Sequence, residues 1–154
     1  MSTRSQVIIK DNIDEQWFYR HSDGYPSGNL PALYKFIKWF KQGKIRGNVE
    51  QSSGWLILIG AEEYGTMMDE KMQSIRKPTL TEPVGNNFES WKCGAYEICP
   101  CKRRHGDIEW LYTIDLSNET ITIEKTYNSQ IVTLTFEELK HYKKDFSKIS
   151  EGYF

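Results

Sequence analysis

Apolar and polar positions alternate in two places and recur at helical spacing in a third. Val7-Ile8-Ile9 and Trp17-Phe18-Tyr19 are short β-prone runs on either side of the polar stretch Asp11 to Glu15, which predicts an opening hairpin. Leu30, Leu33, Tyr34, Ile37 and Phe40 fall on one helical face. Asn29 is the expected cap, Pro31 lies in the first turn and Gly43 is the expected stop. The continuous run Trp55 to Ala61 fits a buried strand or a buried helix, and its flanks favour the helix. Residues 65–90 show weak periodicity and read as a long connection, with one helical turn near Met68 to Ile75.

The last third is more regular. Trp91 to Ile98 fits a strand. Ile108, Trp110, Tyr112, Ile114 and Leu116 alternate with their neighbours, and Ile121 and Ile123 alternate with threonines beyond the Ser117-Asn118 turn. Ile131 to Leu134 adds another strand. Thr135-Phe136-Glu137-Glu138 matches a capping box opening a helix through about Phe146. Strands grouped on either side of the helices, rather than alternating with them, predict one α+β domain over 1–154. Its expected core is an antiparallel sheet of about five strands packed by two to three helices.

Composition narrows the function classes. The chain has 154 residues, 20 Lys+Arg against 21 Asp+Glu, and a formal net charge of -1, so bulk attraction to nucleic acid is disfavoured. No apolar run approaches the ~18 residues of a membrane span. MSTRSQVIIKD carries no apolar stretch of signal-peptide length, so the expectation is a soluble cytoplasmic protein without membrane contact. Aromatic residues make up 14% of the chain, and their core-like spacing assigns most of them to packing.

The most site-like stretch is Tyr19-Arg20-His21-Ser22-Asp23-Gly24-Tyr25-Pro26, where a strand ends in a glycine-containing turn. Tyr19, Arg20, His21, Asp23 and Tyr25 are the expected ligand-binding residues. His21-x-Asp23 returns as His105-x-Asp107, with Glu109 beyond it. If the two segments meet, His21, Asp23, His105 and Asp107 become candidate catalytic residues, as an acid–base set or with a divalent metal. Histidines and Asp23 serving only turn backbone groups is the competing reading.

Cys93, Cys99 and Cys101 with His105 give Cys-x5-Cys-x-Cys-x3-His, which lacks a paired knuckle, so unrelated thiols are expected and no metal or other cofactor is assigned. Lys35, Lys38, Lys41 and Lys44 form a basic stripe on the first helix, and Lys102-Arg103-Arg104-His105 a basic cluster. Both are ordinary for solvated surface, yet both are candidate phosphate contacts. An N-terminal Ser2 or Thr3 nucleophile would need a larger scaffold than this one. No phosphate-cradling glycine loop and no nucleophile elbow is present.

The opening MSTRSQVIIKD, the segment Phe18 to Gly28, and His105-Gly106-Asp107-Ile108-Glu109 leading to Tyr112-Thr113-Ile114-Asp115-Leu116 resemble a group of small uncharacterised proteins of phages, prophages and bacteria. The resemblance spans most of the domain and transfers no catalytic assignment. It implies a phage-genome setting and a protein that binds a host factor or a small signalling molecule. The leading expectation is therefore a binding or host-interaction protein whose partner, protein or small molecule, is unknown. A small hydrolase or phosphoesterase-like enzyme using His21/Asp23 and His105/Asp107 is the alternative, and a nucleic-acid-binding module the third.

Overall fold

The computed structural model describes residues 2–67 and 95–154. Strands β1 (Ser5–Lys10) and β2 (Glu15–Arg20) form the predicted hairpin. Helices α1 (Pro26–Lys41) and α2 (Val49–Met67) follow. The short strand β3 (Glu97–Cys99) precedes β4 (Trp110–Asp115), β5 (Thr120–Lys125) and β6 (Gln130–Thr135). Helices α3 (Phe136–Lys140) and α4 (Ser147–Tyr153) complete the described chain. No helix among the described residues is long and apolar enough to cross a membrane.

The architecture is α+β, with one six-stranded sheet in the order β3-β2-β1-β4-β5-β6. It departs from the expected sheet of about five antiparallel strands in two respects: there are six strands, and the central pair β1–β4 is parallel. Four helices are described where two to three were expected. The mixed sheet follows from the chain path: after the helices and β3 the chain re-enters beside β1, on the side that β2 leaves open. A sign of that central position is the unbroken burial of Ser5 to Ile9, since a strand covered on both faces needs no alternation.

The helices cover one face. Val7, Ile9, Phe18, Tyr112, Ile114, Ile121 and Ile123 meet Leu30, Leu33, Phe36, Leu56, Phe136 and Ile149 in the main core. The other face carries a smaller cluster of Ile8, Ile108 and Leu111, flanked by Trp17 and Tyr19. Its cover is the β3–β4 connection. β3 lies outside β2 and β4 lies beyond β1, so the connection must cross both strands. The Gln6 side chain holds the crossing: its amide donates to the Arg103 carbonyl at 3.0 Å, and its oxygen accepts from the His105 N–H at 2.9 Å.

Helix boundaries also moved. α1 starts at Pro26, which supplies the helical φ and lacks only an N–H the first turn cannot use. Asn29 is thus buried within the helix instead of capping it, and Pro31 lies inside. The Thr135/Glu138 capping box is present in both directions, a local device worth about 1 kcal/mol. The helix it opens ends at Lys140, and α4 is a separate element. Trp55 to Ala61 is helical within α2. Strand β3 contains Glu97 and Ile98 of the Trp91 to Ile98 prediction; residues 91–94 of it, and the helical turn expected near Met68 to Ile75, lie outside the described residues.

Two glycines of α2 give opposite expectations. A Cβ on Gly60 would lie 2.5 Å from the Tyr96 ring and 3.2 Å from the Ala95 Cβ, whereas one on Gly54 meets nothing within 4 Å. Gly60→Ala is expected to destabilise by about 1–3 kcal/mol through overpacking. Gly54→Ala should stabilise by about 0.5–1 kcal/mol through helix propensity. Urea unfolding of the two variants beside the parent measures both.

Candidate functional site

Alternation along β2 divides the site-like segment between the two faces of the sheet. Phe18 and Arg20 point to the helices, and Trp17 and Tyr19 point away. Arg20, an expected ligand-binding residue, is 1% exposed and is held by internal partners. Its Nε donates to the Ser22 carbonyl at 2.8 Å, one terminal nitrogen reaches the Tyr96 hydroxyl at 3.2 Å, and the other reaches the Gly28 carbonyl at 3.3 Å. Glu63 of α2 pairs with it at 2.9 Å. Arg20 thus ties the end of β2 to both helices.

The knot extends inward. The Tyr96 hydroxyl donates to Asn29 Oδ1, and Asn29 Nδ2 donates to the Ser5 hydroxyl at 3.3 Å. The Tyr112 hydroxyl donates to the Gly24 carbonyl at 2.7 Å, and the Gly24 N–H to the Thr3 carbonyl at 2.9 Å. A side chain at Gly24 would meet the Ser5 Oγ at 2.6 Å, so this position must remain without one. Complete burial holds the Tyr112 hydroxyl well above its ordinary range, as a neutral donor.

The opposite face gathers the other chemistry-bearing groups. The Tyr19 hydroxyl and His21 Nδ1 are hydrogen-bonded at 2.9 Å, with ring centroids 6.0 Å apart. The His105 ring stacks on the Tyr19 ring at 5.2 Å with a 30° interplanar angle. The two imidazoles, 84 positions apart in sequence, thus both contact a single phenol. His105 Nε2 lies 3.9 Å from the Cys99 sulfur, and Cys99 also accepts from Gln6 at 3.7 Å. Arg4 stands beside this row, its Nε 3.5 Å from Asp107. Partial burial raises the Tyr19 hydroxyl pKa, against the pull of Arg4, so the phenol stays protonated.

The carboxylates face elsewhere. Asp23 adopts a left-handed conformation (φ 56°) that aspartate tolerates better than most residues, and it accepts from the Tyr25 hydroxyl at 3.3 Å. Asp107 serves Arg4. Among the described residues neither His21 nor His105 is hydrogen-bonded to a carboxylate, and no three His, Cys, Asp or Glu side chains are placed to hold a metal ion. Burial raises the Cys99 thiol above its ordinary value, away from the thiolate a nucleophile needs. Cys101 is exposed, and Cys93 lies outside the described residues.

Three of the seven lysine and arginine candidates face acids. Lys35 pairs with Glu62 at 3.3 Å, Lys41 with Glu119 at 2.7 Å, and Arg104 forks onto Glu124 at 2.6 and 3.1 Å. Arg103 is exposed, with its carbonyl fixed by Gln6. Sequence reasoning missed Arg4, Gln6, Asn29, Glu63 and Tyr96 as organisers. The available signal was Gln6, a polar side chain ahead of an apolar run. Comparisons with sequence families, curated proteins and solved structures give no match.

Removing Arg20 takes the guanidinium from its contacts with the Glu63 carboxylate, the Tyr96 hydroxyl and the Ser22 and Gly28 carbonyls. Arg20→Leu is expected to cost about 3–5 kcal/mol in urea unfolding. Glu63 adds a pH dependence. Burial raises its carboxyl above the ordinary 4.5, outweighing the attraction of Arg20, so the folded chain holds this proton more readily than the unfolded one. Its contribution to stability is fully present below that ordinary value and is lost as pH rises through the folded one. Glu63→Gln should flatten this part of the stability–pH curve, read from urea midpoints on both sides of it.

Proposed function

We propose that this chain is a binding protein and that it recognises an anion-bearing small molecule on the sheet face away from the helices. The observation that carries this reading is the row His21–Tyr19–His105, in which two imidazoles from distant segments contact one phenol beside Arg4. An imidazole N–H, a phenol and a guanidinium are all donors to a phosphate or carboxylate oxygen, and guanidinium suits planar bidentate contact. The Gln6 bridge fixes the backbone beside His105, which lowers the ordering cost of binding.

Hydrolysis is less well supported. The carboxylates expected to raise the basicity of the two histidines are directed elsewhere, Asp23 to Tyr25 and Asp107 to Arg4. A nucleic-acid surface is less well supported too, because Lys35, Lys41 and Arg104 already face carboxylates.

The three histidines make the test direct. His141, at the end of α3, serves as the internal control. Inorganic phosphate, citrate and adenosine monophosphate are titrated in turn while the imidazole resonances are followed by NMR. The expected result is saturable movement of His21 and His105 for at least one probe, a stationary His141, and affinity reduced about tenfold or more by Tyr19→Ala, in line with a lost stacking and hydrogen-bonding contact. Unmoved His21 and His105 with all three anions overturns the reading. So does a phosphoesterase activity abolished by His21→Ala.

A further inference from the structure

Among the described residues the two edges of the sheet are managed differently. β3 is an edge of three residues that includes Glu97, whereas β6 is an edge of six residues, Gln130-Ile131-Val132-Thr133-Leu134-Thr135, without a charge, proline or glycine. Such an edge presents a row of unpaired N–H and C=O groups, and proteins ordinarily blunt it with a charge, a proline or a bulge. The pairing with β5 is continuous over all six residues, so no bulge turns the strand aside. Ile131 is 60% exposed, and Tyr127, in the turn leading to the strand, is 77% exposed.

We infer that β6 pairs antiparallel with β6 of a second copy of this chain, joining two sheets into one of twelve strands about a two-fold axis. The charge pattern favours a second copy as the occupant. A self-paired neutral strand sets no like charges against each other. Antiparallel pairing also brings the start of α3, with its exposed Glu137, to the end of the second copy's sheet where Lys125 and Tyr127 stand. The geometry restricts the axis. A two-fold that pairs antiparallel strands within one sheet runs perpendicular to that sheet and leaves both helical layers on one side. Opposed residues must share a face, so the axis passes through Val132 or Thr133 and not between them. Both placements put Thr133 of the outer face near the axis and leave the His21–Tyr19–His105 row, on the far side of β5, β4 and β1, uncovered.

Sedimentation of the full chain tests the pairing. The wild type is expected near twice its 18.1 kDa. Thr133→Lys and Thr133→Glu, each placing like charges across the axis, should sediment as monomers with unchanged circular dichroism. Their equimolar mixture should recover the dimer. Ile131→Lys, at a side chain already mostly exposed, supplies the same reading if a Thr133 variant fails to fold. A wild type that remains monomeric at millimolar concentration overturns the inference. A dimer indifferent to charge at both positions also overturns it.

Discussion

The guanidinium of Arg20 is the contact on which the rest of the molecule turns. A charge 1% exposed is costly to bury, and it is tolerated here because Glu63 and two carbonyls surround it with acceptors. The acceptors belong to different parts of the chain: the turn after β2, the first turn of α1, and α2. Where that group sits, the end of the first hairpin is fixed against both large helices. The exposed row on the other face inherits its position from this anchor, because Tyr19 is the next residue along the same strand.

The division of labour along β2 is a direct result of the two-residue period of a strand. Neighbouring residues of a single segment therefore do opposite jobs. Arg20, Gly24, Gly28 and Asn29 serve internal packing and hydrogen bonding, while Tyr19, His21, Asp23 and Tyr25 keep contact with solvent. A segment dense in polar residues and glycine need not be a binding loop throughout. About half of this one is scaffold.

Much of the architecture was legible in the chain. The hairpin of β1 and β2, the alternating strands β4 and β5, and the capping box at Thr135 rest on short-range patterns, and the structure contains each. What escaped depended on long-range pairing. Nothing local in Val7-Ile8-Ile9 says that its second neighbour runs parallel and comes from a hundred residues later. Asn29 has the chemistry of a helix cap, but Pro26 starts the helix a turn earlier and frees the amide for Tyr96 and Ser5. Pairing His21 with Asp23 followed from their spacing in an extended strand. The left-handed turn at Asp23 breaks that extension and hands the carboxylate to Tyr25.

The crossing over the outer face has a consequence of its own. Arg103 and His105 are tethered by a neutral amide, buried and acting through both its donor and its acceptor, whereas the nearby Arg4–Asp107 contact is an exposed ion pair. Ionic strength weakens the second and scarcely touches the first. Acid leaves the amide uncharged as well, so the main chain beneath the His105 ring keeps its place in either medium. The surface can alter its electrostatic character with the medium and still present the same shape.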